Sequence, residues 1–227
     1  MGSPLRACWL GPMPFDAALA LQLAARDAVA DEREDPILFL VEHPAVLTVG
    51  RRGSADDILW TDDQLEAAGV GVSQTPRGGQ VTLHAPGQLV AYPIVPIGRQ
   101  IRAHLNNLAE TSIELIAELG VNGAEFRMDH PGVWVGQTKL GSIGVHISRG
   151  VTVQGLSLNL RVDPRLFGAL VSCGVQGLRM QSVADLVDAD AVPSVEDAAR
   201  RWAALWARKT DADLRWVDAP AAVAPAQ

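Results

Sequence analysis

Cys173 and Lys139 are the side chains of this sequence best suited to covalent chemistry. The chain has two cysteines, Cys8 and Cys173, and two lysines, Lys139 and Lys209, against seventeen arginines. It uses arginine nearly everywhere, yet keeps an amine inside the apolar, glycine-punctuated run Val135-Gly-Gln-Thr-Lys-Leu-Gly-Ser-Ile-Gly144. A guanidinium is not deprotonated in a protein, whereas a lysine amine can exchange its proton when buried. Cys173 stands near the end of Leu170-Val-Ser-Cys-Gly-Val175, where a glycine turn follows an apolar run. A thiol with a cation beside it is a covalent acyl-transfer site in outline. The backbone N–H after such a thiol can stabilise the oxyanion of a tetrahedral intermediate. Cysteine by itself is more often a buried small hydrophobe. The reading therefore rests on the company Cys173 keeps, and Cys8, beside Trp9 near the terminus, has no comparable setting.

A second candidate is the stretch Arg77-Gly-Gly-Gln-Val-Thr-Leu-His84. Two successive glycines allow close approach of backbone to a ligand and leave N–H groups available. The same stretch could be only the entry to a hairpin. It is not a phosphate loop, and no dinucleotide-binding glycine triplet follows a strand. His84 reads either as a general base or orienting group, or as a satisfied histidine at a strand end. His43 has the same two readings. His104, His130 and His146 show no spacing that suggests a metal.

The elements that must position these groups can be read along the chain. Helices are predicted over 15–34, 61–69, 99–119, 163–169 and 194–208, from apolar periodicity and from capping residues such as Thr61, Asp163 and Ser194. Strands are predicted over 37–41, 45–49, 80–83, 88–95, 125–128, 133–135, 139–148 and 151–160, the last two joined by a turn at Arg149-Gly150. The strands do not alternate strictly with helices. The expected fold class is therefore α+β, with a mixed, largely antiparallel sheet backed by helices. One domain over 1–217 is expected, with 218–227, rich in Ala and Pro, as a disordered tail.

Composition excludes several functions. The net charge of -7 disfavours nucleic acid. No apolar run reaches bilayer length, and the N-terminus lacks a signal peptide's apolar core. Two distant cysteines make neither a disulfide framework nor a metal pair, so a reducing, cytoplasmic setting is expected.

In combination, several segments resemble the lipoyl(octanoyl) transferases, enzymes that move an octanoyl group from acyl carrier protein to a lysine of lipoate-dependent proteins. They are Glu42-His-Pro-Ala-Val-Leu-Thr-Val-Gly-Arg51, the stretch from Arg77 through His84 to Pro93, Lys139-Leu-Gly-Ser-Ile-Gly-Val-His-Ile-Ser148, Gly155-Leu-Ser-Leu-Asn159 and Ser172-Cys-Gly-Val175. They occur in the family's order and spacing, from about Glu42 to Leu186. The resemblance implies the catalytic fold shared with biotin and lipoate protein ligases. It implies Cys173 as the acyl-accepting cysteine and Lys139 as its partner. It implies acyl-substrate contacts from Arg77, Gly78, Gly79, Gln80, Val81, Thr82, Leu83 and His84, from Ser142, Ile143 and Gly144, and from Gly155, Leu156 and Ser157. No cofactor or metal is implied. The implied partners are octanoyl acyl carrier protein as donor, and lipoyl domains of 2-oxoacid dehydrogenases and the glycine cleavage H protein as acceptors, with neither nucleic acid nor membrane. The chain departs from the family's pattern at Ala85, where Gly is usual, at Gln154, where His is common, and at Ser172, where Pro is frequent.

Three other classes compete: an ATP-dependent lipoate or biotin protein ligase, an octanoyl amidotransferase of the same fold, and a non-catalytic carrier-binding module. Acidic partners would need a local basic face on this acidic chain, and Arg51-Arg52, Arg149 and Arg161 are its candidates.

Overall fold

A computed structural model describes residues 2–171 and 178–219. The segment 172–177, which holds Cys173, and the tail from 220 onward lie outside the described residues. In chain order the elements are β1 (Ser3–Pro12), α1 (Phe15–Ala30), β2 (Ile37–Glu42), β3 (Val46–Val49), α2 (Asp62–Ala67), β4 (Gly71–Gln74), β5 (Val81–His84), β6 (Gln88–Ile94), α3 (Ile101–Glu118), β7 (Ala124–Arg127), β8 (Gly132–Val135), β9 (Thr138–Ser148), β10 (Val151–Asn159), β11 (Arg179–Met180), α4 (Val195–Thr210) and β12 (Ala212–Trp216). Nine strands form one sheet, ordered β12-β1-β2-β6-β10-β9-β8-β7, with β11 beside β9; β4-β3-β5 form a second, small sheet. The expected α+β class and mixed, largely antiparallel sheet are what is found. Among the described residues, parallel pairing is confined to β12-β1-β2, β3-β4 and the short β9-β11 pair.

The two faces of the large sheet are covered differently. Leu108, Leu115 and Ile116 of α3 and Trp202, Ala203 and Trp206 of α4 bury Leu38, Leu89, Leu140, Leu156 and Leu158 on one face. Helix α1 packs Ala18, Leu21 and Val29 against Phe39, Val41, Val90 and Tyr92 on the other. Each fully buried Leu or Phe contributes about 1.5–3 kcal/mol of transfer free energy, so both layers are strongly held. The small sheet has its own core of Leu47, Val49, Leu65, Val81 and Leu83. It shares the α1 side of the large sheet, and the gap between the two sheets is where the site forms.

Capping residues set helix ends as the sequence predicts. Thr61 and Gln64 form a reciprocal capping box on α2, and Ser194 accepts from the Asp197 N–H on α4. Helix α1 is shorter than the predicted 15–34. Glu32 takes a left-handed φ of 55° and the Arg33 N–H returns to the Ala28 carbonyl, which closes the helix before β2. Strands β1, β4, β11 and β12 are additions to the sequence reading. The loop Ala85-Pro-Gly87 joins strands of different sheets, because β5 pairs with β3 while β6 lies between β2 and β10. No described helix is long and apolar enough to cross a membrane.

Candidate functional site

Strands β9 and β10 form a hairpin closed at Arg149-Gly150, whose φ values of 54° and 77° are those of a tight primed turn. Its register sets Ser142 opposite Ser157 and Gly144 opposite Gly155. Lys139 and Ser142 are three residues apart, a spacing that strict alternation would put on opposite faces. A register shift resolves this. Lys139 pairs with Trp134 and Gly141 with Val133, so Leu140 is an extra residue on β9. The bulge lets Leu140 enter the α3–α4 core while Lys139 and Ser142 both line the cavity on the α1 side.

Lys139 is 1% exposed, and its Nζ lies 5.4 Å from the Trp134 ring centroid, in cation–π range. Its side chain runs across Gly132. A Cβ at Gly132 would stand 2.5 Å from Lys139 Cε and 2.2 Å from the Gly141 carbonyl oxygen. Gly132→Ala should therefore displace the lysine and strain the β8–β9 pairing, at about 1–3 kcal/mol for overpacking. The expected result is at least a tenfold fall in kcat, together with a lowered Tm. Native turnover in that variant would show that the lysine's path across Gly132 does not matter.

The small sheet supplies the roof. The Gly78 N–H donates to the Val145 carbonyl at 3.2 Å and ties the glycine loop to β9. Arg77 is buried, with Nη2 donating to the Thr48 carbonyl at 2.6 Å and to Thr48 Oγ1 at 2.9 Å. The Arg51 and Arg52 N–H groups donate to the Arg77 and Gly79 carbonyls, so the turn after β3 secures the loop from outside.

His43, His84, Phe15 and Tyr92 close one wall. The Met13 carbonyl can only accept, so His43 carries its proton on Nδ1, donates to it at 2.7 Å, and accepts from the Tyr92 O–H on Nε2 at 2.9 Å. The Gln88 amide nitrogen donates to the Leu83 carbonyl and to Asn159 Oδ1, so its oxygen accepts from His84 Nδ1–H at 2.7 Å. That tautomer leaves the His84 lone pair on Nε2. Burial pulls the His43 pKa down to about 4 and the His84 pKa down to about 3, the latter aided by the His43 and Arg77 charges. Both rings are neutral at working pH. Of the two functional readings of His84, this environment favours an orienting polar wall over a general base.

One cavity brings together Lys139, Ser142, Ile143, Gly144, Gly155, Leu156, Ser157 and the stretch from Arg77 to His84 except Leu83, which turns into the small-sheet core. Phe15, Arg52, Tyr92, Asp129, His130, Pro131 and Gln154 line it too. Of these, sequence reasoning named Arg52 only for the basic face and Gln154 only as a departure from the family pattern; it missed the others as site residues, along with Gly132. The clearest available signal was Asp129-His-Pro131, a turn that leads into β8, the strand paired with the lysine strand. Cys173 lies outside the described residues, but its flanks are fixed. The Val171 N–H donates to the Asp57 carbonyl, and β11 pairs in parallel with β9, Met180 opposite Lys139.

Of the basic-face candidates, Arg149 is ion-paired with Asp27 at 3.6 Å and with Asp31, and Arg161 donates to the Val192 carbonyl. Arg51 and Arg52 are exposed beside the cavity. The His146 pKa is lowered by burial and then by the Arg51 and Arg26 charges.

The family model described as the lipoyl protein ligase A/B catalytic domain matches residues 14–204. The octanoyltransferase of Maridesulfovibrio salexigens is 38% identical over 177 residues, 77% of this chain and 82% of that protein. That of Syntrophotalea carbinolica is 41% identical over 178 residues, 77% of this chain and 80% of that protein. Among solved structures, the bipartite lipoate protein ligase with its E2 lipoyl domain from Thermoplasma acidophilum superposes with a TM-score of 0.75 at 16% identity, covering 96% of this chain and 88% of that one. The biotin protein ligase of Leishmania major in complex with biotin gives 0.53 at 12% identity, covering 88% of this chain and 73% of that one. At such identities the structures establish the shared fold alone.

Proposed function

The chain belongs to the octanoyltransferases, within the family of the lipoyl protein ligase A/B catalytic domain, and on that premise we propose that it carries octanoyl groups from acyl carrier protein to lipoyl domains through a thioester on Cys173. Octanoyl transfer in protein lipoylation follows from the family; the donor, the acceptors and the covalent route are the proposal. The observation that carries it is the pairing of β11 with β9. The chain that leaves the Cys173 segment docks two residues later beside the strand of the buried Lys139, at the cavity that gathers the predicted acyl contacts.

The steps balance without ATP. The Cys173 thiolate attacks the carbonyl of octanoyl carrier protein, its proton having passed to Lys139 or being held off by that cation. The carrier's C–S bond breaks, and its thiol departs with a proton. The ε-amine of the acceptor lysine then attacks the acyl-enzyme, an amide forms, the amine proton leaves through a nearby base, and the Cys173 thiol is restored. Thioester to thioester is nearly balanced, and thioester to amide runs downhill. Seven apolar carbons buried in the slot contribute roughly 5 kcal/mol before entropy costs. The acceptors are the lipoyl domains of 2-oxoacid dehydrogenases and the glycine cleavage H protein.

The test is to mix purified chain, octanoyl carrier protein and a lipoyl domain in the absence of ATP. An octanoylated lysine on the domain is expected, read by intact mass. Transfer that occurs only with ATP would replace this reading with an adenylating ligase.

Docking has its own expected outcome. Carrier proteins and lipoyl domains are typically acidic, and Arg51 is an exposed charge next to Arg52, which lines the cavity. Arg51→Glu should raise the KM for octanoyl carrier protein several-fold and weaken its salt dependence, because exposed charge contacts mainly set association rate and are screened within about 10 Å at 0.1 M salt. Turnover of a small octanoyl thioester should hardly change. An equal effect on both substrates would assign Arg51 to the slot or the fold instead.

A further inference from the structure

We propose that Gln154 closes the far end of the acyl slot and sets the longest chain this enzyme accepts, an inference that rests on the octanoyl-transfer reading above. Along β10, Leu156 and Leu158 pack into the α3–α4 core, Leu156 also bordering the cavity, while Gly155 and Ser157 line the cavity. Alternation assigns Gln154 to the side of Leu156. Instead, its φ of 65° is left-handed, a conformation that residues other than glycine rarely take. The reversal brings it to the cavity side. Its N–H donates to Gln22 Oε1 on α1 at 2.8 Å, and its amide nitrogen donates to Thr75 Oγ1, just beyond β4. The residue is 2% exposed, its backbone N–H is bonded to α1 and its side-chain amide to Thr75, so backbone and side chain are each held from a different element. Its Oε1 is buried with no hydrogen-bond partner.

The distances suit an eight-carbon chain. Lys139 Cε lies against Gly132, which pairs with Ser142, so the amine end of the slot is at the Ser142–Ser157 pair. Gln154 is three residues further along β10, about 10 Å at 3.3 Å per residue. The seven carbons beyond an octanoyl carbonyl extend ~9 Å at about 1.25 Å each, the projection of a C–C bond near 1.5 Å. Gly144 and Gly155 line the cavity between the two ends, and a Cβ at Gly144 would meet Arg77 Cδ at 3.2 Å, so Arg77 bounds the slot there. Two more methylenes would press apolar carbon against a fixed amide whose oxygen has no donor, a contact that offers no compensation for the burial of that oxygen.

The experiment measures single-turnover acylation of the full chain by hexanoyl, octanoyl, decanoyl and dodecanoyl thioesters. Wild type should fall steeply beyond octanoyl. Gln154→Gly keeps the left-handed backbone without strain and removes the wall, so the decanoyl-to-octanoyl rate ratio should rise at least tenfold. Thr75→Val cuts only the amide's tether and should raise the same ratio less; it carries the test if Gln154→Gly does not fold. An unchanged ratio in the folded variants, or wild type acylated as fast by dodecanoyl as by octanoyl, overturns the proposal while leaving octanoyl transfer intact. Absence of any octanoyl adduct on wild type fails the underlying reading as well, so the two failures are told apart.

Discussion

Cys173→Ala should retain no octanoyl group after exposure to octanoyl carrier protein, while Cys8→Ala is labelled like wild type. The contrast follows from where Cys8 sits. It is fully buried in β1 beneath α1, and burial, with the nearby Asp218 charge, pushes its pKa up to about 11. A thiol so protonated is a poor nucleophile at neutral pH. In the sheet order β1-β2-β6-β10-β9, it is four strands from the lysine strand, about 19 Å at 4.8 Å per strand. Loss of the covalent intermediate should cut transfer by several orders of magnitude, since the acceptor amine would have to attack the carrier thioester directly. Intact mass after brief mixing reads the adduct. A labelled Cys173→Ala protein would move the nucleophile elsewhere and end the assignment.

Lys139→Arg should be nearly as damaging as Lys139→Ala, with about a hundredfold or greater loss of kcat in each, the scale of a removed acid–base group. Arginine preserves the charge but cannot exchange a proton near neutrality, and its planar fork is wider than an ammonium. The space for it is absent. The lysine stem already lies where a Gly132 Cβ would overlap it, and the residue is 1% exposed. Stopped-flow acylation and steady-state kcat, with Tm as the folding control, check this. Near-native turnover in Lys139→Arg would mean that only positive charge is needed there. The proton would then need another acceptor, and His84, held near pKa 3, is poorly suited.

Some of this architecture is legible in the residues themselves and some is not. Thr61, Ser194 and the Arg149-Gly150 turn announce their elements, because capping and turn chemistry are local. Strands β1 and β12 hide. Ser3–Pro12 contains two prolines and a glycine, and Ala212–Trp216 is charge-rich and half-exposed, so neither carries a strong alternating pattern; their pairing with each other makes them strands. His84-Ala-Pro-Gly87 looks like the link of one sheet. It is a crossing between two, with Ala85 fully buried at the joint. Within the site, the glycine stretches and Lys139 are visible because their composition departs from core packing. Phe15 and Tyr92 are not, because an aromatic on a buried face looks like core wherever it ends up. The bulge at Leu140 is invisible for a different reason: it is a property of how β8 and β9 are paired, and no single strand encodes it.

The split of the site between two sheets also bears on how it is assembled. The floor is a hairpin closed by a two-residue turn, whereas the roof pairs Val49 with Val81 across thirty-one intervening residues. By the logarithmic cost of loop closure, the ratio of those lengths makes the roof roughly 2.5 kcal/mol more expensive to close. Non-local pairings are late events in folding and early ones in partial opening. The floor is thus expected to form before the roof. A chain halted between those two moments would present Lys139 and the glycine lane to water as an open shelf, with no enclosed slot to hold an acyl tail.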